Sequence, residues 1–133
     1  MPISQIFVNL PVTDIEQSKA FYQTLGFSIN PQFSDEQSAY VVVSDSIVLQ
    51  LATREKFKGF TNREIPGSGG VILALAVESR TAVDRLADTA LLSGGAPTKE
   101  TTDLGWLYNR GFADPDGHSF EAVHLDFAAL GSA

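Results

Sequence analysis

Cysteine is absent from this chain of 133 residues, which also has a single methionine and a single tryptophan. The absence of cysteine excludes disulfide bonds, thiolate metal ligands and cysteine nucleophiles. No apolar stretch approaches the roughly 20 residues that a membrane-spanning helix requires, so we expect no membrane partner. The first residues lack a basic stretch followed by an apolar one, so we expect no secretory signal and a cytoplasmic protein.

Positive charge is also scarce, because 9 Lys and Arg residues stand against 16 Asp and Glu residues, a net charge of −7. An acidic domain repels phosphate backbones, so we expect no nucleic-acid partner. Two interpretations of the acidity stay open: attraction of a cationic ligand, or ordinary charge for solubility. The chain also lacks a nucleophile elbow, a GxGxxG motif and a phosphate-cradling loop, so we expect no nucleotide cofactor.

The order strand, helix, strand, strand, strand is predicted twice along the chain. The first copy has strands at 6–12, 27–33, 39–43 and 47–52, and a helix from the Asp14 cap to Gly26. The second copy has strands at 71–77, 98–101, 106–113 and 119–124, and a helix from the Ser79 cap to Gly94. The sequence therefore predicts an α+β protein of two tandem βαβββ modules.

Module 1 is expected at about 5–53 and module 2 at about 71–126. The joint at about 54–70 includes a possible short helix and the flexible segment Pro66-Gly67-Ser68-Gly69-Gly70. One module alone would expose a face of its small sheet, so we expect both modules to pair in a single domain, 1–133. The alternative is an undivided α+β domain without a repeat.

Four segments carry a family resemblance: Asn9–Ser18 (NLPVTDIEQS), Phe21-Tyr22, Leu25-Gly26-Phe27 and Asp114–Glu121 (DPDGHSFE). They resemble the glyoxalase/bleomycin-resistance/extradiol-dioxygenase (vicinal oxygen chelate) superfamily, and the resemblance extends from Ile6 to about Asp126. It implies a curled, eight-stranded mixed sheet around a cleft that holds a small-molecule ligand or substrate. It also implies a homodimer.

Metal-dependent members of that superfamily have four ligands, and the resemblance lays these positions on Phe7, Gln50, Ile72 and Glu121. Phe7 and Ile72 have no electron pair to donate, whereas a catalytic divalent site needs about three protein ligands. Neither histidine replaces them, because His118 lies in a turn and His124 has the opposite strand parity to Glu121. We therefore expect no metal and no other cofactor.

Arg110 and Glu121 are the candidate catalytic residues. If Asp114 pairs with Gly117 across the final hairpin, Arg110 lies opposite Glu121 and Phe112 lies opposite Ser119. Arg110 would then bind an anionic or carbonyl oxygen while Glu121 accepts a proton. The alternative is a cross-strand salt bridge between two buried charges.

The same strand parity predicts an apolar and aromatic cleft wall, the usual make-up of a small-molecule site. Its predicted members are Phe7, Asn9, Val48, Gln50, Ile72, Ala74, Ala76, Trp106, Tyr108 and Phe112. Trp106 and Tyr108 either stack on a ligand or fill the core of the cup. Asn9 is either a polar anchor for the ligand or a partner for a strand-end hydrogen bond.

Two functions follow from these expectations. The first is a protein that binds a small organic molecule in the aromatic cleft, as the antibiotic-resistance branch of the superfamily does. The second is a diverged lyase or isomerase, similar to lactoylglutathione lyase, that uses Glu121 as a base beside Arg110. The acidic charge and the two apolar residues at ligand positions favour binding.

Overall fold

The computed structural model describes residues 2–61, 63–65, 67 and 70–131. The chain divides into two compact units, Met1–Gly67 and Ser68–Ala133, so the boundary lies within the predicted joint. Pro66, Ser68 and Gly69 of that joint lie outside the described residues. That the two units form a single domain stays a prediction.

The first unit is a four-stranded mixed sheet with one main helix on it. Its elements are β1 (Ile6–Val12), α1 (Ile15–Thr24), β2 (Ser28–Ile29), β3 (Ser38–Ser44), β4 (Ile47–Thr53) and α2 (Arg54–Lys58). The sheet order is β1-β4-β3-β2, with β1 parallel to β4 and the other pairs antiparallel. The predicted strand 27–33 is shorter than expected, because a 3-10 turn over Pro31–Phe33 begins where proline cannot donate to the ladder.

The helix α1 begins and ends at the predicted residues. The Asp14 carboxylate accepts a hydrogen bond from the Gln17 backbone N–H at 3.0 Å, which caps the first turn. Gly26 follows the helix with a φ of +102°, a conformation that favours glycine. The buried side of α1, with Phe21 and Tyr22, packs against β3 and β4.

The second unit repeats this order with an additional short strand. Its elements are β5 (Ile72–Ala76), α3 (Arg80–Leu92), β6 (Ala96–Pro97), β7 (Thr102–Asp103), β8 (Leu107–Ala113), β9 (Ser119–Leu125) and α4 (Phe127–Gly131). The sheet order is β5-β9-β8-β6, β5 is parallel to β9, and β7 also pairs with β8. The described residues thus confirm the α+β class and the tandem βαβββ order.

The predicted strand at 98–101 is wrong. Ala96–Pro97 and Thr102–Asp103, the residues on either side of it, pair with β8, whereas 98–101 has no strand assignment. The described part of the chain consequently has nine strands where the sequence predicted eight. The break matters for the site, because it frees Thr98 and Lys99 from the ladder.

The helix α3 covers the second sheet with small residues. Ser79 Oγ accepts a hydrogen bond from Ala82 N at 3.0 Å and caps the helix, as predicted. Val83, Ala87 and Ala90 are buried on its inner side, and α3 contacts both β8 and β9. None of the helices in the described residues is long and apolar enough to cross a membrane.

Candidate functional site

The hairpin between β8 and β9 decides which residues share a face with Glu121. The backbone N–H of Asp114 donates to the His118 carbonyl at 3.0 Å, and Gly117 has a φ of +88°. The loop therefore has three residues, 115–117, where the prediction assumed two. One extra loop residue shifts the register by one and moves each side chain to the other face of the sheet.

The predicted pairing of Arg110 with Glu121 is therefore wrong. Arg110 lies opposite Ala122, and Glu121 lies opposite Gly111. Arg110 points to the helix side, where its Nη1 donates to Asp88 Oδ1 at 2.8 Å. A second bond reaches Asp84 Oδ1 at 3.2 Å, and the bond to Asp88 is the main reason that the pKa of Arg110 is raised.

The predicted placement of Tyr108 and Phe112 beside Glu121 is wrong for the same reason. Phe112 lies opposite Phe120, not opposite Ser119, and is fully buried, with the two rings stacked at 5.5 Å. The Tyr108 hydroxyl donates to Asp84 at 2.7 Å. Trp106 precedes β8, and its ring stacks on Phe127 at 6.5 Å. Phe112 thus belongs to the core between sheet and helix.

Lys99 and Asn109 are the residues that do surround Glu121. Lys99 Nζ donates to Glu121 Oε1, and Asn109 Nδ2 donates to Glu121 Oε2, each at 3.5 Å. The Glu121 side chain is 21% exposed and that of Lys99 is 38% exposed. Asn109 Oδ1 is buried and has no hydrogen-bond partner among the described residues. Gly117, the third residue of the loop 115–117, is the sequence signal that would have indicated this register, since three-residue hairpin loops favour glycine at their last position.

Gly111 allows Lys99 to reach Glu121. A Cβ at position 111 would lie 2.8 Å from Lys99 Cγ and in severe conflict with Thr98 Oγ1. The segment at 98–99 therefore lies directly on the sheet only because residue 111 has no side chain. A cavity of about 140 Å³ results there, lined by Ile72, Thr98, Lys99, Ser119, Phe120 and Glu121.

The corresponding face of the first sheet is aromatic and amide-rich. Phe7 is in register with Val48 and Asn9 with Gln50, so these four share a face, as predicted. Phe7 is 44% exposed, and its ring meets that of Tyr40 edge-to-face, with centroids 5.9 Å apart.

In the second unit, Ala74 is in register with Glu121 on β9. Ile72 and Ala76, two residues away on either side, share that face, as predicted. Ile72 is 59% exposed. The two sheets thus each present an exposed apolar side chain on the face that carries the candidate polar residues.

The donor set does not fit a divalent metal ion. Phe7 and Ile72 are hydrocarbon side chains, and Glu121 already has the ammonium group of Lys99 as its cation. His124 is held through Nδ1, 3.1 Å from the Val77 carbonyl oxygen. No group of three or more His, Cys, Asp or Glu that could hold a metal occurs among the residues that the structure describes.

Residues 5–44 match a family model described as bleomycin resistance protein-like N-terminal. None of the functionally curated proteins matches the chain in sequence. Among solved structures, a hypothetical protein from S. aureus is similar at 29% identity and a TM-score of 0.79, with 93% of this chain and 95% of that chain covered.

Two further structures carry functional names. A glyoxalase/bleomycin resistance protein from Albidiferax ferrireducens is 27% identical, with a TM-score of 0.67 and coverage of 89% of this chain and 95% of that chain. A lactoylglutathione lyase from Agrobacterium tumefaciens is 16% identical, with a TM-score of 0.69 and coverage of 93% and 95%. These similarities confirm the predicted resemblance to the glyoxalase/bleomycin-resistance/extradiol-dioxygenase superfamily and its fold.

Proposed function

We propose that this protein binds a small organic molecule without a metal ion, and that each unit offers its own candidate surface: the aromatic face of the first sheet, and the Glu121 pocket of the second. One observation carries the proposal. Phe7 and Ile72, which the resemblance lays on two of the superfamily's ligand positions, are 44% and 59% exposed. Large apolar side chains exposed beside a few polar groups are typical of a binding surface.

The surface around Phe7 suits an apolar or aromatic part of the ligand. The Tyr40 ring contacts the Phe7 ring edge-to-face, and the ring of Phe33 also lies close to it, with centroids 5.3 Å apart. Aromatic rings contribute large contact area and edge-to-face contacts at little cost in side-chain entropy. Asn9 and Gln50 add amide groups that can orient a polar substituent. The similarity of the chain to a 27% identical glyoxalase/bleomycin resistance protein supports the same proposal.

A second candidate function is a lyase or isomerase, favoured by the contact of Lys99 with Glu121. In this hypothesis Glu121 removes a proton from a carbon next to a carbonyl group and returns it to a neighbouring atom. The Lys99 ammonium would stabilise the negative charge on the oxygen between these two steps. Lys99 thereby takes the role that the sequence assigned to Arg110.

Thermal-shift screening of aromatic and other small organic compounds tests the binding proposal. We expect compounds that raise the Tm of the wild type. Phe7→Ala should weaken the compounds that bind the first sheet, and Ile72→Ala those that bind the second, each by about tenfold, since a lost aromatic or apolar contact costs about 1–1.5 kcal/mol. Leu92→Ala is the matched control, because Leu92 is 88% exposed on α3. Unchanged affinity in both site variants would refute the proposal.

The variant Glu121→Gln separates the binder from the enzyme. Retained affinity with loss of a measured turnover establishes the lyase or isomerase, whereas a wild type that turns over none of its bound compounds is a binder. Elemental analysis and dialysis against EDTA test the metal independence. A stoichiometric divalent ion that is needed for binding would contradict it.

From the family resemblance we also propose a homodimer, and the expected cytoplasmic location stays a proposal. Analytical ultracentrifugation of the full chain measures the first directly. A monomer at all concentrations of the experiment would refute it.

A further inference from the structure

The cavity beside Glu121 is too small to hold a whole drug-sized ligand. Its volume of about 140 Å³ is close to that of a cavity that takes one benzene molecule, about 150 Å³. Complete ligand pockets measure about 300–1,000 Å³. The cavity therefore suits the polar end of a ligand whose remainder lies on exposed apolar side chains such as Ile72.

Lys99 has unused hydrogen-bonding capacity at this cavity. An ammonium group has three N–H donors, and among the described residues its only partner is Glu121. The distance of 3.5 Å is long for a charge-assisted hydrogen bond, which is usually about 2.7–2.9 Å. Asn109, only 7% exposed, also has an oxygen without a described partner. The polar groups of this site are thus not satisfied by the protein alone.

The charges of the cavity select the ligand further. Lys99 attracts the carboxylate of a ligand, whereas Glu121 repels it. A hydrogen-bond donor next to that carboxylate in the ligand offsets the repulsion, because it reaches the Glu121 oxygens. The overall charge of −7 does not oppose this locally, since charges beyond about 8 Å are largely screened at physiological salt. A ligand for this cavity therefore needs a carboxylate for Lys99 and, next to it, a hydrogen-bond donor for Glu121.

We infer that the cavity binds the carboxylate of a small organic acid that carries a hydroxyl or ammonium group on the neighbouring carbon. This inference rests on the proposed binding function and names the ligand class for the second unit. Lys99 binds the carboxylate, Glu121 accepts the hydrogen bond of the neighbouring donor, and Gly111 keeps both side chains together.

Four probes of similar size test the inference by calorimetric titration of the full chain. Mandelate, phenylglycine and phenylacetate share a phenyl ring and a carboxylate, and differ only in the hydroxyl, ammonium or hydrogen on the neighbouring carbon. Benzyltrimethylammonium carries the opposite charge. We expect mandelate and phenylglycine to bind at least about fivefold more tightly than phenylacetate, because one hydrogen bond to a charged group is gained. Benzyltrimethylammonium, the cationic probe, should bind more weakly than mandelate and more weakly than phenylglycine.

Two variants assign the contacts. Lys99→Met keeps the aliphatic chain over Gly111 and should weaken all three carboxylates at least about tenfold, whereas Lys99→Arg should retain binding. Glu121→Gln should tighten phenylacetate and reduce the preference for mandelate and phenylglycine, because the amide oxygen still accepts a hydrogen bond but carries no negative charge. Lys58→Met, an exposed position on α2, is the control for the change in net charge. Circular dichroism and Tm report the folding of each variant.

Three results would overturn the inference: unchanged carboxylate affinity in Lys99→Met, equal affinity for phenylacetate and mandelate, or tightest binding of the cationic probe. The proposed function is judged separately. If compounds that depend on Phe7 raise the Tm but no carboxylate binds, only the ligand class assigned to this cavity is wrong. If no compound of any class binds, both proposals fail.

Discussion

The two units fill the core between helix and sheet in different ways: the large aromatic side chains come from the helix in one unit and from the sheet in the other. In the first unit the helix supplies the aromatic rings, because Phe21 and Tyr22 of α1 are almost completely buried against aliphatic strand residues. In the second unit the sheet supplies them, through the stacked pair Phe112 and Phe120. There the fully buried residues of α3 are small: Val83, Ala87 and Ala90.

This difference shows what a repeated architecture conserves physically. A close-packed core needs a certain volume between helix and sheet, and either partner can provide it. The order of helices and strands therefore repeats, while the positions of the bulky residues do not. The open faces of the sheets differ as well, since the first presents Phe7 and the second is partly covered by Lys99 over Gly111.

Removal of the buried rings should have the largest effect. Phe21→Ala and Phe112→Ala should each lower the free energy of unfolding by about 3–5 kcal/mol, because each leaves a cavity in a core where the side chain is 1% exposed or less. Chemical denaturation followed by circular dichroism measures this. The exposed Leu92→Ala should change stability by less than about 0.5 kcal/mol. A loss below about 1 kcal/mol in either ring variant would contradict the core described here.

The single tryptophan extends this comparison to the predicted single domain. Trp106 lies in the second unit, so its fluorescence reports that unit directly. If the two units unfold together, Phe21→Ala shifts the Trp106 transition as much as Phe112→Ala does. A Trp106 transition that Phe21→Ala leaves unchanged would show two independent units.

Gly111→Ala should have an intermediate effect on stability, and the structural change that causes it should lie in the second unit. The added methyl group meets Thr98 and Lys99, so we expect a loss of about 1–3 kcal/mol in unfolding free energy and a displaced Lys99. Gly70→Ala is the control, since a Cβ there meets no atom of the described residues within 4 Å. Equal stability of both variants would mean that the segment at 98–99 does not lie on the sheet.

Tyr108→Phe tests a polar contact that links α3 to the second sheet. Loss of the 2.7 Å hydrogen bond to Asp84 should cost about 0.5–1.5 kcal/mol. Tyr40→Phe, in the first unit, should be nearly neutral, since the Tyr40 hydroxyl has no hydrogen-bond partner among the described residues. Equal effects of the two substitutions would contradict the contact.

The same bond predicts a dependence on alkaline pH. The hydrogen bond to Asp84 raises the pKa of Tyr108. Its stabilising contribution is therefore complete below the unfolded pKa of about 10 and is lost as pH rises through the folded pKa. The stability difference between wild type and Tyr108→Phe should shrink in that range, as denaturation at several pH values would measure.

Asp103→Asn should have the smallest effect. Arg80 donates to both Asp103 oxygens, at 2.7 and 2.8 Å, and these hydrogen bonds are the main reason that the pKa of Asp103 is lowered. A lowered pKa stabilises the fold above the unfolded value of about 3.9 and stops doing so as pH falls toward the folded value. Wild type should therefore exceed the variant slightly at pH 7 and converge with it in acid. A constant difference would refute the ion pair.

Much of the fold was predictable from local sequence. The Asp14 and Ser79 caps, the glycine after α1 and the alternation of β1 each specify structure through contacts within a few residues. The failed strand at 98–101 had no strong alternation, so its path was decided by packing against Gly111 instead.

The sequence by itself determined the order of elements, the superfamily resemblance and the place of Glu121 on the last strand, because caps, turns and side-chain periodicity are local properties. Only the tertiary structure decided the neighbours of Glu121. The number of residues in the hairpin loop sets the face of the sheet on which each hairpin side chain lies. One additional loop residue places Arg110 on the face that packs against α3. Lys99 lies 22 positions before Glu121 in the sequence, and it contacts Glu121 across the space that the missing side chain of Gly111 leaves.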